Sequence, residues 1–229
     1  MSDGFVAVIM FIMTIVIYFP LAALHRRIGA SFTVPVLTST ILIVLLLSVF
    51  DLSYDTYMRG GKWIHELLGP AVVSLAYPLY QQRHVLKKLI IPIVFGTFAG
   101  AVIGISTGVL LAKWAGFGEL MLYTIAPKSV TTPVAMVIAE SVGGVMPLAA
   151  VFVMIAGIGG AIIGPTVFKL FNINHDLGRG VGMGSASHAI GTAAAMERGA
   201  REGSASTIAM VVSAVMVSVL TPGLVGLFV

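Results

Sequence analysis

The chain has 229 residues, of which 58% are hydrophobic and 10% charged, with a formal net charge of +4 and no cysteine. Soluble domains carry about 25% charged residues, so this chain cannot clothe a water-facing surface; without cysteine it has no disulfide, thiolate metal site or cysteine nucleophile. At about 20 apolar residues per crossing, it has room for about six to eight membrane passes.

In chain order, Phe5 to Leu24 reads as the first span, ended by His25, Arg26 and Arg27. Its apolar run is too long and wrongly flanked for a cleaved signal peptide, so it is expected to be retained. Val34 to Phe50 reads as the second span. The hydrophilic stretch that follows holds Asp51, Asp55, Arg59, Lys62, His65 and Glu66 beside Trp63, a composition suited to a membrane interface. Leu67 to Tyr80 is apolar but short, with Gly69, Pro70 and Pro78. Leu89 to Leu111 is a full span. Leu120 to Ala139 is broken by Pro127-Lys128-Ser129 and Thr131-Thr132-Pro133. Val145 to Leu170 is a full span, Val181 to Met196 is rich in Gly, Ala and Ser, and Ala205 to Phe228 is the last span.

Broken and unbroken segments thus alternate in the second part of the chain, which divides into a two-helix region over residues 1–66, a scaffold or oligomerisation element, and a broken-helix core over 67–229. Thr132-Pro133-Val134-Ala135-Met136 echoes Thr192-Ala193-Ala194-Ala195-Met196. Each is followed by a glutamate (Glu140, Glu197), a glycine-containing turn and an apolar span. A structural repeat and small-residue composition both account for this echo. If every broken segment crosses, there are eight passes. Arg83–Lys88 and Arg198–Arg201 then share the cytoplasmic side with His25–Arg27, both termini lie outside, and Arg59, Lys62, Lys113, Lys169 and Arg179 lie opposite.

Backbone polar groups cannot go unpaired in lipid, so broken helices belong where protein or a wet cavity surrounds them. In carriers such breaks form substrate sites, with half-helix N-termini aimed at anions. Lys128 is a lone cation inside an uncharged run, which calls for a partner or a task. With Ser129, Thr131, Thr132 and the helix start at Pro133 it composes a carboxylate clamp; alternatively Lys128 snorkels and the hydroxyls cap a helix. In the second broken segment the polar groups are Ser185, Ser187, His188 and Thr192, among glycines including Gly191. His188 binds a carboxylate, relays a proton, or bonds a backbone carbonyl while the small residues serve helix packing. Glu140 and Glu197 are coupling or gating candidates, or solvated helix ends. Ser74, Tyr77 and Tyr80 read as scaffold. The Gly/Ala face at Gly157–Ala161 suits a homo-oligomer or a partner helix. No soluble-enzyme motif is found and the basic residues flank spans, so neither an enzyme, a cofactor, a metal site nor nucleic-acid binding is expected.

The stretches Ala126-Pro127-Lys128-Ser129-Val130-Thr131-Thr132-Pro133-Val134-Ala135-Met136 and Ala186-Ser187-His188-Ala189-Ile190-Gly191-Thr192-Ala193 resemble the signatures of the LrgB/CidB family, and Gly69-Pro70-Ala71 with Pro78-Leu79-Tyr80 resembles its upstream motif. The resemblance covers nearly the whole chain. It implies an all-α polytopic bundle in the bacterial inner membrane, with broken or re-entrant helices around a midplane site. Bacterial members are called antiholin-like and are linked to murein hydrolase export and autolysis alongside a small holin-like protein of the LrgA/CidA type. Other members are linked to pyruvate uptake, and plastid relatives to glycolate and glycerate exchange. The leading expectation is therefore a carrier or facilitator for small 2-hydroxy or 2-keto monocarboxylates, working as a homodimer. Its substrate-binding residues would be Lys128, Ser129, Thr131, Thr132, Pro133, Ser185, Ser187, His188, Gly191 and Thr192. The alternative is an antiholin-like regulator.

Overall fold

The computed structural model describes residues 3–28, 33, 35–67, 70, 73–74, 76–81 and 83–228. Gly69 and Ala71 of the upstream motif lie outside them. The chain is an all-α membrane bundle that divides into two compact units, Met1–Pro70 and Ala71–Val229.

The first unit holds α1 (Asp3–Ile28), α2 (Pro35–Val49) and α3 (Tyr54–His65). At 26 residues, α1 is long and apolar enough to cross a membrane. The 15 residues of α2 span only about 22 Å, short of the full crossing expected for Val34–Phe50. The hydrophilic stretch folds as α3, started by Ser53, whose hydroxyl accepts the Thr56 N–H at 3.2 Å. Gly60 lets α3 sit directly on the α1 backbone, where a Cβ would stand 2.7 Å from the Phe11 nitrogen. Trp63 packs edge-on to Phe11, Tyr57 shares a hydrogen bond with Thr14, and Arg59 pairs with Asp3.

The second unit holds α4 (Ala76–Gln81), α5 (Arg83–Trp114), α6 (Glu119–Ile125), α7 (Thr132–Ser141), α8 (Met146–Leu170), α9 (Asp176–Arg198) and α10 (Ala200–Phe228). Helices α5, α8 and α10 are long and apolar enough to span. Non-helical angles at Leu89 kink α5 near its start, where the Pro92 ring displaces the carbonyl four residues before it. Half of the apolar window of α10 is buried, against 22% in α5 and 17% in α8, so α10 is the central helix and the other two face lipid.

The two later broken segments fold back on themselves. Helix α9 contains a residue with φ +42° and ψ −130°, His188, and reverses there. Arg179 in its first turn and Arg198 at its end both reach Glu202, at 2.9 and 2.7 Å. A straight helix would hold these arginines about 28 Å apart, farther than two side chains and a carboxylate can bridge. Gly191 also lies against Met183, 2.7 Å from its carbonyl to an added Cβ, although eight residues of straight helix would separate them by about 12 Å. Both arms run along α10: Gly184 against Ser206 and Met210 from the first, Thr192 bonded to Ser206 at 2.8 Å from the second.

The earlier segment folds back in the same way. Helix α6 continues through short-range turns to Val130, and the chain reverses into α7. Beyond α7 it returns to where it entered, so that the Val145 N–H donates to Thr124 Oγ1 at 2.9 Å and Gly144 sits on the Thr124 backbone. Since α8 crosses between them, the two hairpins enter from opposite ends of the bundle. The echo in the sequence thus corresponds to two inverted units, each a hairpin followed by a span. The topology also regroups the charges. Arg83, Lys87, Lys88, Lys169, Arg179, Arg198 and Arg201 gather at the end where α5 begins, and Lys113 alone at the other. Lys169 and Arg179, expected opposite Arg83–Lys88, therefore lie on the same side.

Candidate functional site

Glycines at every fourth position of α5 make one face of that helix nearly bare backbone, and both hairpins lie on it. Gly96 meets Val181 and Gly100 meets Ser185 of the second hairpin; Gly104 meets Ser129 and Gly108 meets Lys128 of the first. The polar tips therefore approach along α5 from opposite ends, with Ser185 and Ser129 set against glycines four residues, about 6 Å, apart along the axis. A second stripe on α8 receives the other side of the second hairpin. Gly157 faces the His188 ring, Gly160 the Ser187 hydroxyl and Gly164 the Met183 sulfur. The Gly157–Ala161 face expected to serve an oligomer or partner is, at Gly157 and Gly160, occupied by this hairpin; Gly159 meets nothing within 4 Å.

At the first tip, Lys128 Nζ donates to the Gly104 carbonyl at 2.5 Å. Its side chain is partly buried against Gly104 and Gly108. An ammonium has three donors, so two remain. Ser129 and Thr131 are buried, and Thr132 and Pro133 are half-buried. Thr131 is the N-cap of α7 yet makes no side-chain cap bond, and its Oγ1 is buried without a partner. The first-turn N–H groups of α7 have no intrahelical acceptor. Cation, hydroxyls and helix start thus lie together at the first tip.

At the second tip, Ser187 is 1% exposed and its Oγ has no partner. Ser185 is buried too, but its hydroxyl donates back to the Val181 carbonyl at 2.6 Å. His188 Nε2–H donates to the Val153 carbonyl at 2.9 Å, the carbonyl-bonded alternative read for it. A carbonyl only accepts, so Nε2 carries the proton and Nδ1 of the neutral ring is an acceptor. Its backbone conformation is one that only glycine adopts without strain of about 1–3 kcal/mol.

Other sequence candidates stand apart from the tips. Gly191 seals the two arms of the second hairpin together, and Thr192 ties the returning arm to α10. Glu140 and Glu197 are exposed at helix ends. Tyr77 accepts a hydrogen bond from Gln81, and Tyr80 stacks under Arg83 at 4.4 Å. Sequence reasoning missed the Glu202 cluster. That carboxylate is 2% exposed and receives Arg179 and Arg198, while Arg179 also bonds Asp176 at 2.9 Å. The i, i+4 spacing of Arg198 and Glu202 was its one local signal; the partner from 23 residues upstream of Glu202 left none. Among the described residues no cluster of His, Asp or Glu is fit to hold a metal ion.

The model of the LrgB-like family matches residues 14–227. The uncharacterized protein YxaC of Bacillus subtilis is 46% identical over 228 residues, covering 100% of this chain and 99% of its own. The holin-like protein CidB of Staphylococcus aureus is 32% identical, and that of Staphylococcus epidermidis 33%, each over the full length of both chains. No solved structure matches. The match over nearly the whole length, together with the four long apolar helices, places the chain in the LrgB-like family as a multi-pass bacterial membrane protein.

Proposed function

We propose that the chain is a carrier or facilitator for small 2-hydroxy or 2-keto monocarboxylates of the pyruvate, glycolate and glycerate type. The observation that carries this reading is that two of the three buried, unpartnered hydroxyls among the described residues, Thr131 Oγ1 and Ser187 Oγ, lie one at each of two tips that enter from opposite ends; the third, Ser213 Oγ, is on α10. A buried hydroxyl without a partner costs about 1–3 kcal/mol, a cost that a bound polar ligand removes. Beside them Lys128 and the first turn of α7 at Pro133 hold the carboxylate. Ser129, Thr131, Thr132 and Ser187 bond the oxygen on the neighbouring carbon, with Ser185 beside them. His188 accepts a coupled proton at Nδ1. Hairpins that enter from both ends and approach each other along α5 also suit alternating access, since each tip closes the path from its own side. Homodimer formation belongs to the same proposal, with the first unit as scaffold.

The second reading is an antiholin-like regulator of murein hydrolase export and autolysis, acting with a small holin-like membrane partner. It is favoured by the holin-like name of the staphylococcal relatives. Uptake of radiolabelled pyruvate, glycolate and glycerate into liposomes holding the purified chain separates the two. Saturable uptake that disappears in an equally well-inserted Lys128→Ala variant is expected. Equal uptake by that variant overturns the proposed site. No uptake, with or without the small partner, transfers the weight to the regulatory reading.

A further inference from the structure

We propose that a cationic pocket at the base of the second hairpin binds the phosphate of an anionic phospholipid head group. The pocket, about 210 Å³ in volume, lies between the last turn of α8, the connection over residues 171–175 and the two ends of α9. Lys169, Arg179 and Arg198 line it, with Asn172, Asn174 and Phe168. Glu202 accepts a hydrogen bond from Arg198 Nε and is ion-paired with Arg179 Nε at 2.9 Å without a hydrogen bond between them, and Asp176 takes one Nη of Arg179, which leaves the remaining guanidinium N–H groups to other acceptors. Lys169 has no ion pair among the described residues. Three cations therefore stand against two carboxylates, and a phosphodiester monoanion balances the surplus. Guanidinium forks match phosphate oxygens geometrically, and the two asparagine amides add neutral donors.

The source is a lipid rather than a free anion for two reasons. Helix α8 arrives as a membrane span, and its end is marked by Leu170 and Phe171, 73% and 69% exposed, which give the surroundings of the pocket an apolar surface that acyl chains cover. This end of the unit also gathers seven lysines and arginines against one at the other, which by the positive-inside rule makes it cytoplasmic. The cytoplasmic leaflet is the one whose anionic lipids attract basic clusters. Because Arg179 and Arg198 come from opposite arms of α9, a head group seated here touches the same two guanidiniums that close the hairpin. Lipid occupancy thus steadies the base of the second hairpin.

The test uses the full-length protein in mixed micelles of phosphatidylcholine and phosphatidylglycerol, read by native mass spectrometry. Lys169→Gln is the informative variant, since Lys169 takes no part in the Glu202 cluster and its loss leaves the hairpin closed. Lys88→Gln removes a charge at the same end outside the pocket. Wild type is expected to retain phosphatidylglycerol in preference to phosphatidylcholine, with retention falling about fivefold in Lys169→Gln and unchanged in Lys88→Gln. Unchanged retention in Lys169→Gln, or an equal fall in both variants, overturns the pocket. Displacement of the lipid by inorganic phosphate assigns the pocket to a soluble anion and overturns the lipid.

Discussion

The two hairpins do the same topological work with different chemistry. The first reverses through a proline-bounded turn in ordinary backbone angles, and its base is closed by one bond, from the Val145 N–H to the Thr124 hydroxyl. The second reverses at a strained His188 and is closed at its base by a buried carboxylate between two arginines. The first carries the lysine; the second carries no charge at its tip but is gripped on two sides by glycine stripes. A relaxed turn needs little to hold it, whereas a strained one persists only where surrounding contacts over-determine it. The second hairpin is therefore the one whose stability depends on distant residues.

Substitutions can sharpen or break this contrast. The largest effect is expected at the charged tip, where Lys128→Ala abolishes monocarboxylate uptake while thermal unfolding in detergent changes little. A mutant that instead fails to insert would make Lys128 a structural residue. Next is Glu202→Ala, which leaves two arginines facing each other at the base of the second hairpin. Removing one partner of a buried pair costs about 3–5 kcal/mol; since the arginines are near one-third exposed, the lower end is expected, seen as a fall in the unfolding midpoint. Gly160→Ala puts a methyl group into the Ser187 hydroxyl and is expected to cost about 1–3 kcal/mol and most of the uptake, while Gly159→Ala on the same helix meets nothing and is tolerated. If both variants behave alike, the stripe is not a contact surface. At His188, glycine is expected to be more stable than alanine by about 1 kcal/mol, because both lose the Val153 bond but only glycine accepts the backbone angles. The smallest effect, about 1 kcal/mol, is expected for Thr124→Val, which removes the bond across the base of the first hairpin together with the hydroxyl's own bond to the Leu120 carbonyl of α6. A Thr124→Val loss as large as that of Glu202→Ala would erase the difference between the two closures.

Proline, glycine and hydroxyl residues made the broken segments legible, because each announces its local backbone demand: Pro133 a helix start, the glycines around Ser185 close packing. The lone Lys128 marked the first tip for the same reason. What the sequence did not disclose is direction. A segment of about 20 small and apolar residues has the composition of one crossing and also of two short arms, and hydropathy cannot separate them. The fold-back is encoded in long-range pairs, Arg179 with Glu202 and Thr124 with Val145, that have no local pattern. The glycines at 96, 100, 104 and 108 were hidden by the uniform hydropathy of α5, although their four-residue period is the mark of one bare helix face. Gly191 and Thr192 were read with the tip because they adjoin it in sequence, yet the reversal at His188 turns them back toward α10.

The most direct test is the sidedness of the hairpins, and a chain without cysteine is suited to it. Single cysteines placed at Gly118, Ser141, Asn174 and Glu197, all exposed, are to be labelled with a membrane-impermeant maleimide in sealed vesicles of known orientation. Two re-entrant hairpins require positions 118 and 141 to react from one side and positions 174 and 197 from the other. Labelling of 118 and 141 from opposite sides would make the first broken segment a crossing and remove the approach of the two tips along α5.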